Sequence, residues 1–143
     1  MERRHSQGGE DSSGDETLRL LDTVVLIGAL RENDKHYKKA VEHLKSLDRE
    51  ETFVPSSSLL ELDLELKAHE YTLEERIATL QDLTAAIPAY KILPITITSL
   101  IEAVKLETEM SYFDALIVAL SNELDAVIVT TDEAIRKRAK WAW

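Results

Sequence analysis

Leu18-Arg19-Leu20-Leu21-Asp22-Thr23-Val24-Val25-Leu26-Ile27 is the stretch on which the rest of the chain turns. A short apolar run delivers one carboxylate, and apolar residues resume directly after it. That is the pattern of a buried strand with an acid at its tip, followed by a second element that also packs into the core. Three further acids, Glu61, Asp114 and Asp132, stand at similar junctions between apolar runs and helix starts.

Working outward, strands and helices alternate. Residues 18–21 read as the first strand and 23–31 as a short helix. Asp34 then suits the N-cap of a longer helix, in which Tyr37, Ala40, Val41, Leu44 and Leu47 recur at spacings of three and four. Residues 52–54 make a short strand ended by Pro55, and Ser56, Ser57 and Ser58 offer caps for a helix running to about His69. In that segment Leu60, Leu62, Leu64 and Leu66 alternate with Glu61, Asp63, Glu65 and Lys67, a strand period. Its composition of Leu, Glu and Lys, with no β-branched residue, favours a helix, which would place Glu61, Glu65 and His69 on one face.

Thr72 and Glu75 form a capping box for a helix over 72–86. Residues 91–93 read as a strand between Pro88 and Pro94, and 98–110 as a helix. Ser111 caps the helix that carries Phe113, Leu116, Ile117, Ala119 and Leu120. Residues 126–129 read as a buried strand, and Asp132 opens a last helix over 133–140. Short apolar strands separated by helices predict an α/β fold with a parallel sheet covered on both faces. In such a sheet, sites form beyond the carboxyl ends of the strands, where strand order switches. Asp22 and Asp132 both follow strands. If those strands are neighbours, the two acids face each other.

The totals set bounds. A chain of 143 residues fits one domain with a real core. Its longest apolar run, 24–30, is far short of the roughly 20 residues a membrane helix needs. With no cysteine, disulfides and thiolate metal sites are excluded, which fits a cytoplasmic protein. The net charge of -10 repels nucleic acid as a whole, so phosphate binding would need a local basic patch or a bound cation. Residues 1–17 hold three of the four glycines and no large apolar residue after Met1, and they read as a disordered acidic tail ahead of one domain over 18–143.

Each acid also has a structural reading. Asp22 and Asp132 could be helix N-caps, Asp114 the capping-box partner of Ser111, and Glu61 a first-turn acid favoured by the helix dipole. Together they are harder to dismiss. Asp22 and Asp114 sit among core residues with no cation adjacent, and burying a lone carboxylate costs several kcal/mol. A shared divalent cation resolves this, and oxygen-only ligands indicate Mg²⁺ or Mn²⁺ rather than zinc. Arg136, Lys137, Arg138 and Lys140 form a basic turn beside Asp132, suited either to RNA phosphates or to a helix C-terminus.

Leu21-Asp22-Thr23-Val24, the segment from Pro55 to Glu61-Leu62, Tyr112-Phe113-Asp114-Ala115 and Val129-Thr130-Thr131-Asp132 resemble the four motifs of PIN-domain ribonucleases, which include the toxins of VapBC toxin–antitoxin modules. The resemblance implies a three-layer α/β/α sandwich with a parallel sheet ordered 3-2-1-4-5. It implies a metal-dependent endoribonuclease in which Asp22, Glu61, Asp114 and Asp132 ligate Mg²⁺ or Mn²⁺, with Thr130 supporting the site. It also implies a homodimer and an antitoxin partner. Only Trp141-Ala142-Trp143 remain for the family's fifth strand, so that strand is expected to be very short or lost. The alternative is a PIN-fold module that binds RNA or protein without cutting. A phospho-receiver domain would need paired acids after the first strand and a lysine after a late strand, and neither is present.

Overall fold

Arg19–Leu21 forms β1, the centre of a five-stranded parallel sheet, and its position explains the rest of the molecule. The computed structural model describes residues 17–143. The expected tail over 1–17 therefore falls, except for Thr17, outside the described residues. Strand β1 pairs on one side with β2 (Thr52–Pro55) and on the other with β4 (Val127–Val129). Strand β3 (Ile92–Leu93) lies beyond β2, and β5 (Trp141–Ala142) beyond β4, so the order is 3-2-1-4-5. The fifth strand is therefore present, at two residues, with Ile128 opposite Trp141 and Val129 opposite Ala142.

Seven helices connect these strands among the described residues: α1 (Thr23–Leu30), α2 (Tyr37–Lys45), α3 (Ser56–Ala68), α4 (Leu73–Ala86), α5 (Ile97–Leu106), α6 (Tyr112–Leu124) and α7 (Glu133–Arg136). None is long and apolar enough to cross a membrane. Adjacent residues of a strand point to opposite faces, and the core divides accordingly. Leu21, Val54 and Val129 pack with Val25 and Leu26 of α1 and Leu62 of α3. Leu20 packs instead with Leu120 of α6, and Ile128 with Ile117 of α6 and Ile135 of α7. Gly28 lets α2 approach α1 closely: a Cβ there would stand 2.9 Å from that of Ala40.

The ambiguous leucine-rich segment is helical. Leu62 and Leu66 are buried, whereas Leu60 and Leu64 are about half exposed. The alternation mimicked a strand because two ridges spaced by four residues interleave at a spacing of two. The Thr72–Glu75 capping box is formed in full.

Several boundaries differ from the sequence reading. Asp34 does not cap α2. Its carboxylate accepts from the His36 N–H at 2.8 Å, a local turn, and the helix begins at Tyr37. Pro55, extended at φ -64° and ψ 142°, occupies the N-cap position of α3, so the three serines form the first helical turn. Thr96 and Ser99 cap α5, which ends at Leu106. Lys91 belongs to a 3-10 turn before β3. The last helix is one turn long, not eight residues. The Ile128 N–H donates to Lys140 O and the Thr130 N–H to Ala142 O, and this pairing with β4 draws the backbone out of helical geometry into β5.

Candidate metal centre

The β1–β4 pairing brings the carboxyl ends of two strands together at the switch in strand order, and the Asp22 N–H donates to Val129 O at 3.1 Å. Asp22 leaves β1 as the N-cap of α1 and is buried, 7% exposed. Its Oδ1 accepts from the Thr23 N–H at 2.8 Å and its Oδ2 from the Thr130 hydroxyl at 2.7 Å. Thr130, fully buried directly after β4, also accepts from the Asp132 N–H at 2.9 Å. One threonine thus ties the first acid of the cleft to the last.

Glu61 reaches the cleft from the second turn of α3, which rules out a first-turn dipole role, and its Oε1 accepts from the Thr23 hydroxyl at 2.6 Å. Asp114 comes from the first turn of α6. Its N–H donates to the Ser111 hydroxyl, but among the described residues its carboxylate completes no capping box. Asp132 does cap α7, accepting from the Ala134 and Ile135 N–H groups with Oδ1. Capping therefore occupies one oxygen of Asp132 and leaves the carboxylates of Glu61 and Asp114 turned to the cleft.

All four acids line one cavity of about 200 Å³, together with Glu65 and Thr131. None of the lining residues among those described is basic. The consequence is electrostatic. Burial pushes the Asp22 carboxyl from 3.8 up to about 7, its bonds from Thr130 and Thr23 pull it back, and the charges of Glu61 and Asp114 raise it further. Burial likewise raises Glu61, opposed by the Thr23 hydroxyl and reinforced by Asp114, Glu65 and Asp132. Asp114 is raised by burial and by Asp132.

As they stand, no three acid or histidine side chains among the described residues close around one ion position. Mg²⁺ keeps several of its waters and takes only one or two carboxylates directly, so other acids can act through those waters across a gap. An all-oxygen donor set with uncompensated negative charge, in a cavity large enough for a hydrated ion, fits Mg²⁺ or Mn²⁺.

The basic turn is largely committed elsewhere. Arg136 lies 4.0 Å from the Trp141 ring centroid, Arg138 pairs with Glu109, and Lys140 with Asp125. His69 is exposed, with its ring against the Glu65 carbonyl at 2.9 Å, and does not line the cavity. From sequence, Thr23 is only a motif residue and Ser58 only a helix-cap candidate, and neither stands out as part of the site. The signal available was a hydroxyl beside a candidate ligand, and such residues are common in any first helical turn.

The family model for the PIN domain matches residues 19–140. No curated protein matches the sequence. Among solved structures, FitAcB from Neisseria gonorrhoeae is similar at 18% identity over 87% of this chain and 96% of that one, with a TM-score of 0.66. VapBC2 from Rickettsia felis, bound to a DNA fragment from its promoter, is similar at 16% identity over 89% and 99%, with a TM-score of 0.66. DNA-bound VapBC from Salmonella typhimurium is similar at 16% identity over 88% and 97%, with a TM-score of 0.62. At these identities the likeness is one of fold.

Proposed function

The chain belongs to the PIN-domain family, and from that premise we propose that it is a metal-dependent endoribonuclease that hydrolyses RNA phosphodiesters in the cleft between Asp22, Glu61, Asp114 and Asp132. One observation carries the reading: several carboxylates from β1, α3, α6 and the β4–α7 turn converge on a cavity whose described lining holds no cation. Such an arrangement costs stability unless a cation is shared there.

Asp22, Glu61, Asp114 and Asp132 would hold Mg²⁺ or Mn²⁺. When bound, the ion supplies an activated water and neutralises charge developing on the scissile phosphate. Asp22 is fixed from both sides by Thr130 and the Thr23 N–H, so its oxygens are positioned before any ligand arrives. Glu61, half-buried and tethered by one oxygen to Thr23, keeps its other oxygen to orient a water. Thr130 holds Asp22 and the turn to Asp132 in one register. No protein nucleophile is needed, consistent with a chain that has no cysteine.

The partners follow the same reading. The similar structures include VapBC and FitAcB assemblies, which supports a toxin restrained by an antitoxin; the homodimer and the cytoplasmic RNA substrate follow only from the resemblance of the four motifs to those of PIN-domain ribonucleases. Incubating a mixed RNA pool with the protein, with and without Mn²⁺ or Mg²⁺ and with Asp22→Asn in parallel, tests the activity. Cutting that needs the metal and vanishes in Asp22→Asn is the expected result. A folded protein that leaves the whole pool intact with both metals would sink the nuclease reading and favour the non-cutting binding module.

A further inference from the structure

Two buried hydroxyls stand between Asp22 and Glu61 without serving as helix caps. Thr23 is 4% exposed, and its Oγ1 lies 2.6 Å from Glu61 Oε1 and 3.2 Å from the Ser58 carbonyl oxygen. Ser58 is 2% exposed, and its hydroxyl donates to the Leu21 carbonyl at 3.0 Å. The two side chains therefore reach in opposite directions across one junction, Thr23 from α1 toward α3 and Ser58 from α3 toward β1. Asp22 lies between Leu21 and Thr23, and Glu61 lies three residues after Ser58 on the same helix. A hydroxyl has one proton to donate, and of two acceptors a carboxylate at the shorter distance makes the stronger bond. As a buried β-branched residue, Thr23 has few rotamers open to it, so the position of its Oγ1 is restricted.

We propose that Thr23 is a positioning residue that, braced by Ser58, fixes Glu61 against Asp22 so that carboxylates from two separate elements meet a cation at a set spacing. The proposal rests on the metal-site reading above. Thr23 bonds Glu61, so its effect passes through the acid it holds. Residues that orient metal-binding side chains are worth about 10–100-fold in affinity or activity.

The test is calorimetric titration of Mn²⁺ into metal-free wild type, Thr23→Val and Thr23→Ser, with kcat and KM measured in parallel on a short RNA that the wild type cuts. Thr23→Val keeps the shape and removes the donor. It is expected to weaken Mn²⁺ binding about tenfold and lower kcat by a similar factor, with KM unchanged. Thr23→Ser keeps the donor and is expected to recover most of both. If the valine variant is unfolded by circular dichroism, Thr23→Ala is read in its place. A wild type that binds Mn²⁺ and cuts, beside a Thr23→Val that does so equally well, overturns the brace alone, as does a Thr23→Ser as impaired as Thr23→Val. A wild type that neither binds Mn²⁺ nor cuts overturns the metal-site reading, and the brace with it.

Discussion

Two charges are buried at opposite ends of the sheet, and they are treated differently. Lys91, 6% exposed at the amino end of β2, donates from Nζ to Arg49 O at 2.5 Å and Thr52 O at 3.1 Å and lies 4.6 Å from the Phe53 ring centroid. The groups it bonds are carbonyl oxygens, and the ring beside it offers a π face. Asp22, 7% exposed at the carboxyl end of β1, has two donors, but burial raises its pKa and the facing charges of Glu61 and Asp114 raise it further. Burial alone does not mark a functional charge. Lys91 is matched by its surroundings and Asp22 is not, and that mismatch supports the cation site proposed above.

The comparison breaks most sharply through Asp22→Asn. RNA cutting is expected to fall by at least a hundredfold. The same variant should melt several degrees above wild type at pH 8 in EDTA, because it removes an uncompensated charge. An Asp22→Asn that melts lower than wild type under those conditions would mean that the carboxylate is matched after all. Lys91→Met is the converse case. It leaves two carbonyls without their donor and should cost about 2 kcal/mol, seen as a lower denaturation midpoint in urea, with kcat unchanged below the transition.

The pH dependence sharpens the same contrast. A carboxyl whose folded-state pKa is raised from 3.8 to about 7 keeps its proton to higher pH in the folded chain than in the unfolded one. Stability from this group is full below about pH 4 and is lost as pH rises toward 7. His43 acts with the opposite sign. Burial, followed by the charges of Arg19 and Lys39, lowers its pKa from 6.5 to about 4, so its contribution is full above pH 6.5 and lost as pH falls toward 4. The difference in melting temperature between Asp22→Asn and wild type isolates the first effect. It should widen between pH 4 and pH 7 in EDTA and shrink at pH 8 when Mn²⁺ is added, because the ion stabilises only the chain that binds it.

The smallest effect lies in the basic turn. Arg138 is paired with Glu109, whereas exposed Lys137 has no ion-pair partner among the described residues. Lys137→Ala should raise the KM for RNA about twofold and reduce its salt dependence. Arg138→Ala should leave KM in place. Equal effects from both would mean that the ion pair opens for RNA.

Much of this was legible from residue types and spacing. The alternation of apolar strands and helices predicted the parallel sheet, the Thr72–Glu75 box is formed as read, and all four acids line one cavity. Helix starts were less legible. Asp34 is a good cap by type, but its carboxylate finds a nearer donor in the His36 N–H. The serines after Pro55 look like caps, but the proline occupies that position and leaves Ser58 free to reach Leu21. The last helix was read too long because nothing in 133–140 announces that β4 captures the backbone after Arg136.

Local chemistry was sufficient to say which side chains are acids out of place in an apolar setting, because burial and the absence of an adjacent cation can both be read along the chain. Distances across the chain were not. Thr130 bonds Asp22 over a separation of 108 residues, and Thr23 bonds Glu61 over 38. Only the packing of β4 beside β1, and of α3 against their junction, decided which hydroxyl holds which acid. Hydrogen bonds depend on where the backbone brings two groups, and that position is set by the whole core rather than by either residue's neighbours.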